Sequence, residues 1–129
     1  LTHTHTHAGI WAAALRADDR VLPTVQEAMR VREGWPLVIT GHSLGAGVAS
    51  LVGFRWAEQG LLPGLRVYAF AAPPITSSLE VVRRMSKYVT AVEFGDDFVS
   101  RWCCGTCVDV ARAAYALASV EGVVDQIIN

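Results

Sequence analysis

Hydrophobic positions in this chain fall into blocks whose spacing alternates between helical and strand-like. From Ala8 to Ala17 the apolar residues Ile10, Trp11, Ala14 and Leu15 recur at helical intervals, which predicts a helix with one buried stripe. Asp18-Asp19 interrupts that stripe. Pro23 then precedes Thr24-Val25-Gln26-Glu27, which reads as a capping box. A second helical segment is expected from there to Arg32 or Glu33, with Gly34 as its stop; the pattern leaves open whether the two segments are one kinked helix. Pro36 introduces Leu37-Val38-Ile39-Thr40, apolar without alternation, as expected of a strand covered on both faces in a parallel sheet.

The residues from Leu44 to about Gln59 are apolar nearly all round as far as Phe54, which predicts a helix buried against the sheet and emerging at Arg55, Glu58 and Gln59. Gly60 is its expected stop, and Leu61 to Gly64 a turn. Leu65 to Phe70 is the next strand; Ala71-Ala72-Pro73-Pro74 leaves it, because proline cannot continue a central ladder. A second capping box, Ser77-Ser78-Leu79-Glu80, opens a helix to about Lys87. Leu79, Val82 and Met85 should face inward there, and Glu80, Arg83, Arg84 and Lys87 outward. Val89 to Phe94 is a third strand, closed by Gly95-Asp96-Asp97. Trp102 to Cys107 reads as a loop or short turn and Val108 to about Ala118 as a helix, with room for a short one in the tail to Asn129. Strand, helix, strand, helix, strand predicts an α/β fold: a parallel sheet with right-handed crossovers and flanking helices. No internal repeat, low-complexity linker or second domain interrupts residues 1–129, so a single domain is expected.

Composition narrows the class. With 52% apolar and 18% charged residues, 129 residues suit one domain with a real core and exclude a disordered or charged tail. A formal net charge of −1 gives no electrostatic case for nucleic acid. No apolar window is long enough to span a bilayer, and the chain starts at Leu1 without a signal-peptide pattern, so it is expected to begin inside a longer protein. Cys103, Cys104 and Cys107 are too few and too clustered for a disulfide framework and lack a nearby histidine to complete a metal site. They favour a reducing compartment. Thr2 to His7 alternates threonine and histidine, which as a strand would put His3, His5 and His7 on one face. That pattern fits a metal site, a partly buried strand or a disordered leader.

The strongest chemical signal is Gly41-His42-Ser43-Leu44-Gly45, a G-x-S-x-G between the strand 37–40 and the helix that follows. This is the context of a nucleophile elbow, in which the serine sits on a sharp strand-to-helix turn. Gly41 and Gly45 are expected to keep side chains away where strand and helix approach. The N–H of Leu44, at the helix N-terminus, could then donate to a developing oxyanion. The alternative is a tight turn with no chemistry. A serine nucleophile needs a base and an orienting acid, and Asp96 and Asp97 follow the third strand, where an acid would stand. An Asp pair there is also a common turn or helix cap.

Four segments together resemble the class 3 lipases, the fungal-lipase-like branch of the α/β hydrolases, most closely the sn-1-specific diacylglycerol lipase subgroup. "LVITGHSLGAGVASL" is similar to the family's elbow, "YAFAAPPITSSLE" to its next strand and loop, "EFGDDFVSR" to its G-D-D-x-V-P-R segment, and "HAGIWAA" to its upstream H-x-G helix. The resemblance covers most of residues 7–102 and implies a partial α/β-hydrolase fold. It implies Ser43 as nucleophile, Asp97 as acid, the Leu44 N–H as one oxyanion donor and Asp96 as a structural neighbour. The implied reaction is ester hydrolysis through an acyl-serine, with no cofactor and no metal. The implied substrate is an acylglycerol, diacylglycerol first, at a membrane or lipid-droplet interface. A membrane-associated or cytoplasmic setting is favoured over secretion.

The departures also set expectations. Ser100 stands where the family often has proline, and Ala71 where it often has glycine. The family's catalytic histidine follows the aspartate, whereas the last histidine here is His42, beside the nucleophile. The family's lid, first strands and other oxyanion donor lie upstream of its H-x-G segment. The expectation is therefore the central piece of a lipase domain, crippled as it stands because serine without its base loses orders of magnitude in rate. The alternatives are a base swapped in from His3, His5 or His7, a pseudo-hydrolase that binds lipid or a protein partner, and a metal-binding protein built on the histidine run and the cysteines.

Overall fold

A computed structural model describes residues 6–102 and 104–119. The histidines at positions 3 and 5, Cys103 and the tail beyond position 119 lie outside the described residues.

Helix α1 runs unbroken from Ala8 to Val31. The expected interruption at Asp18-Asp19 is absent, and Thr24 lies inside the helix rather than at a cap. The reason is that Asp18 belongs to the buried stripe. Ile10, Ala14 and Asp18 follow at four-residue intervals, and all three are buried. The Asp18 carboxylate accepts hydrogen bonds from Arg55 Nε at 3.2 Å, Arg55 Nη2 at 2.9 Å and Trp56 Nε1 at 2.6 Å. The Arg55 guanidinium also lies 5.5 Å from the centre of the Trp11 ring. Pro23 costs a helix interior about 3 kcal/mol. The packing of Leu22, Val25 and Met29 against the core offsets that cost. The Asp19 carbonyl, which Pro23 cannot serve, belongs to an exposed residue that water can reach.

The Asp18 cluster carries a prediction. Asp18→Ala should lower stability by about 3 kcal/mol, because it leaves a guanidinium and an indole N–H without their acceptor. The figure sits at the low end of the range since a quarter (25%) of the Arg55 side chain remains in water. Urea unfolding would measure it; a loss under about 1 kcal/mol would show that α1 and α2 do not depend on this clamp.

Strands β1 (Val38–His42), β2 (Arg66–Phe70) and β3 (Val89–Val92) form a parallel sheet in the order β1-β2-β3. Helix α2 (Leu44–Glu58) joins β1 to β2 and lies on the face made by Ile39, Val67, Ala69 and Val89. Contact is close at Gly53, where a Cβ would stand 2.3 Å from Val67 Cγ2. Helix α1 packs on α2, and Trp56, Phe54, Leu51, Leu65 and Val67 are the largest fully buried side chains. The other face of the sheet is not covered by the described residues: Val38, Tyr68, Phe70 and Val92 are exposed. Burial along β1 therefore alternates although its hydrophobicity does not, contrary to the expectation of a strand covered twice.

Ala71 leaves β2 at φ +50, a left-handed conformation that strains any residue with a Cβ by about 1–2 kcal/mol. Ala71→Gly should therefore raise stability by roughly 0.5–1 kcal/mol once the entropy cost of glycine is subtracted. A lowered thermal midpoint would show that the strain is not felt.

Helix α3 (Leu79–Met85) is capped by Ser78, not Ser77: the Ser78 hydroxyl accepts from the Val81 N–H at 3.4 Å. Of its expected inward residues only Met85 is buried, while Leu79 and Val82 are exposed. This short helix is anchored at its last turn, by Met85 and by an ion pair between Arg84 and Glu58 of α2. Helix α4 (Cys104–Ala118) begins four residues earlier than expected and takes in residues 104–107 of the segment read as a loop. Gly105 and the cysteines are weak helix formers, which hid that first turn.

Candidate active site

One residue, Ser43, makes the turn between β1 and α2. Its φ is +53 and ψ −126, a costly conformation for a side-chain-bearing residue. Backbone hydrogen bonds hold it. The Ser43 N–H donates to the Phe70 carbonyl at 2.9 Å, and its carbonyl accepts from Ala46 and Gly47 at 2.9 and 3.2 Å. A serine at a helix N-cap ordinarily uses its hydroxyl to accept a first-turn N–H. The Ser43 hydroxyl makes no such bond, so its Oγ stays available.

The turn is possible because strand and helix nearly touch. A Cβ on Gly41 would lie 2.3 Å from the Gly45 carbonyl oxygen, 2.6 Å from its carbon and 2.8 Å from the Ala46 nitrogen. Gly45 differs from expectation: a Cβ there would meet nothing within 4 Å, so it is the Gly45 backbone, not its missing side chain, that Gly41 makes room for.

A cavity of about 880 Å³ opens in front of Ser43, lined among others by Leu44, His7, Ile75, Val99 and Trp102. None of the described residues lining it is Asp, Glu, Lys or Arg, so it suits an uncharged, largely apolar guest. Leu44 is the first residue of α2, so its N–H has no carbonyl one turn back to donate to. It stands at the positive end of the helix dipole, beside the Ser43 side chain. A carbonyl held between Oγ and that N–H would meet a nucleophile and a donor for the charge that develops on its oxygen.

The cavity wall formed by residues 73–77 was not foreseen as part of a site. His7 N–H donates to the Ile75 carbonyl at 2.9 Å, and Thr6 bridges Thr76 in an isolated antiparallel pair. Gly47 leaves space for this wall: a Cβ there would be 3.0 Å from Ile75 Cγ2 and 3.2 Å from Ile10 Cγ2. The available signal was Pro73-Pro74, which stiffens the loop, and the small pair Ala46 and Gly47.

Asp97 follows β3 at the same sheet edge as Ser43, the carboxyl ends of the strands. Strands β1 and β3 are separated by β2, hence by roughly 10 Å. The Asp97 Oδ1 accepts from the Val99 N–H at 2.8 Å, and its carbonyl from Ser100 Oγ at 3.0 Å. Asp97 itself does not line the cavity, but the turn it organises carries Val99 and Trp102 into it. Asp96 is almost wholly exposed and pairs with Arg101 at 3.1 Å. His42 is exposed on β1 and does not line the cavity, whereas His7 does. Cys107 lines it too.

A family model described as Lipase (class 3) matches residues 2–105. Secreted mono- and diacylglycerol lipase A of Penicillium cyclopium is 30% identical over 83 residues, 64% of this chain and 25% of that protein. Diacylglycerol lipase-alpha of Homo sapiens is 37% identical over 65 residues, covering 50% of this chain and 6% of that one. The crystal structure of a lipase from Rhizopus microsporus var. chinensis superposes with a TM-score of 0.70 at 20% identity, over 82% of this chain and 39% of the other. The fold is thus a partial α/β-hydrolase fold, and the chain spans a quarter of the length of the Penicillium relative.

Proposed function

The chain belongs to the class 3 lipase family, and on that footing we propose that the protein is a serine ester hydrolase acting on acylglycerols, diacylglycerol first. The observation that carries the reading is Ser43, held at positive φ with an uncommitted hydroxyl at the mouth of an uncharged cavity. Ser43 is the nucleophile, the Leu44 N–H an oxyanion donor and Asp97 the orienting acid; Gly41, His42 and Gly45 complete the elbow, and residues 1–129 are one partial lipase domain. Attack of Oγ on the ester carbonyl gives an acyl-serine, which water then hydrolyses. The gap of roughly 10 Å between the β1 and β3 ends leaves room for an imidazole hydrogen-bonded at both sides. Exposed Leu44, Phe98 and Trp102 near the cavity would seat on a lipid surface, which supports an interfacial substrate.

A second reading follows from one observation. Among the described residues lining the cavity only His7 carries an imidazole, and its Nδ1 is taken up by the Ile10 N–H at 3.3 Å, so the same cavity could bind lipid without cleaving it. A fluorophosphonate probe on the full-length protein that contains this chain separates the two, with Ser43→Ala as the control. Labelling lost in that variant, with release of fatty acid from diacylglycerol, is expected of the hydrolase. Diacylglycerol binding without labelling or turnover would replace it with the binding reading.

A further inference from the structure

His7 is the N-cap of α1, yet histidine is not among the residues preferred there; asparagine, aspartate and serine cap better. Its Nδ1 accepts from the Ile10 N–H at 3.3 Å. A ring nitrogen that accepts an N–H carries no proton, so the neutral imidazole holds its proton on Nε2. The ring is folded back over Gly9, where a Cβ would lie 3.4 Å from His7 Cε1 and 3.6 Å from Nδ1. The His7 backbone is fastened to Ile75, and both residues line the cavity that holds Ser43. The hydroxyls facing that cavity, Ser43 among them, can donate or accept. With Nδ1 occupied, the imidazole can only donate.

We infer that His7 is a substrate-positioning residue: its Nε2–H donates to a carbonyl oxygen of the acyl chain bound beside Ser43. The inference rests on the ester-hydrolase reading and deepens it. His7 is not the base for Ser43, because a triad histidine accepts through Nε2 and donates through Nδ1, the reverse of this tautomer.

His7→Asn separates the cap from the donor, since asparagine caps α1 at least as well but lacks the imidazole N–H. Binding of methyl nonyl ketone and of undecane to the intact chain can be followed by tryptophan fluorescence, because Trp102 lines the cavity. The variant should bind the ketone about tenfold more weakly, bind undecane unchanged and keep its helix content. Equal ketone affinity in both proteins would overturn the role of His7 and leave the hydrolase reading standing. An unsubstituted protein that binds neither ligand would sink both. Imidazole nitrogen NMR gives a readout independent of the variant's folding. A protonated Nε2 whose signal moves with the ketone and not with undecane is expected; a proton on Nδ1 refutes the inference.

Discussion

Gly41→Ala is expected to lower stability by at least about 4 kcal/mol and, in the full-length protein, to abolish fluorophosphonate labelling of Ser43. Overpacking a core usually costs about 1–3 kcal/mol, because neighbouring side chains can rotate or shift. Here the added methyl would meet the Gly45 carbonyl at 2.3 and 2.6 Å and the Ala46 nitrogen at 2.8 Å, all backbone atoms of the first turn of α2. That turn cannot rotate away; it must move as a body, and with it move the Leu44 N–H and the Ser43 backbone whose positive φ aims the hydroxyl. Stability and reactivity therefore fail together. Gly45→Ala is the control, since its Cβ meets nothing within 4 Å and alanine favours a helix. Thermal unfolding should show a fall of more than about 10 °C for the first and little change for the second. If both substitutions behaved alike, close approach of strand and helix would not be what Gly41 provides.

What the sequence revealed of this fold followed from how local each signal was. The elbow is a contiguous pattern, so Ser43 and the boundaries of β1 and α2 could be read within a residue or two. The same holds for β2 and for the stop at Gly60, which takes φ +66. Asp18 was misread because a carboxylate in an apolar stripe looks like an interruption until Arg55 and Trp56, 37 and 38 residues away, are known to meet it. Leu79 and Val82 were misread because helical spacing says which residues share a face, not whether anything covers that face. The sheet repeats the lesson: apolar Tyr68 and Phe70 on the outward side of β2 gave no sign that no described residue would lie over them. At the site, the cavity wall joins residues 6–7 to 75–76, a contact that no local pattern announces. His7 was legible as part of a family-like segment, but its place in the wall of the cavity that holds Ser43 was not.

In a full-length protein that supplies the triad histidine, Asp97→Asn is expected to lower kcat/KM for diacylglycerol hydrolysis by about 10⁴-fold, while Asp96→Asn changes it less than about threefold. The substitution is chosen to spare the turn. Asparagine keeps an Oδ1 that can accept from the Val99 N–H, so Val99 and Trp102 should stay at the cavity and the substrate should still bind. What asparagine cannot do is hold an imidazole in the tautomer that takes the serine proton, or stabilise the imidazolium that results. Loss of that task falls on kcat, with KM nearly unchanged. Asp96 spends its carboxylate on an exposed pair with Arg101, where an ion pair is worth little. A rise in KM with kcat preserved would instead make Asp97 a residue that only shapes the cavity wall through Val99. Equal losses at positions 96 and 97 would mean that the loop as a whole matters and that neither carboxylate has the acid's role. The two aspartates stand side by side in sequence, and what separates them is geometry. One is half-buried and tied into the turn at the carboxyl edge of the sheet; the other is out in water.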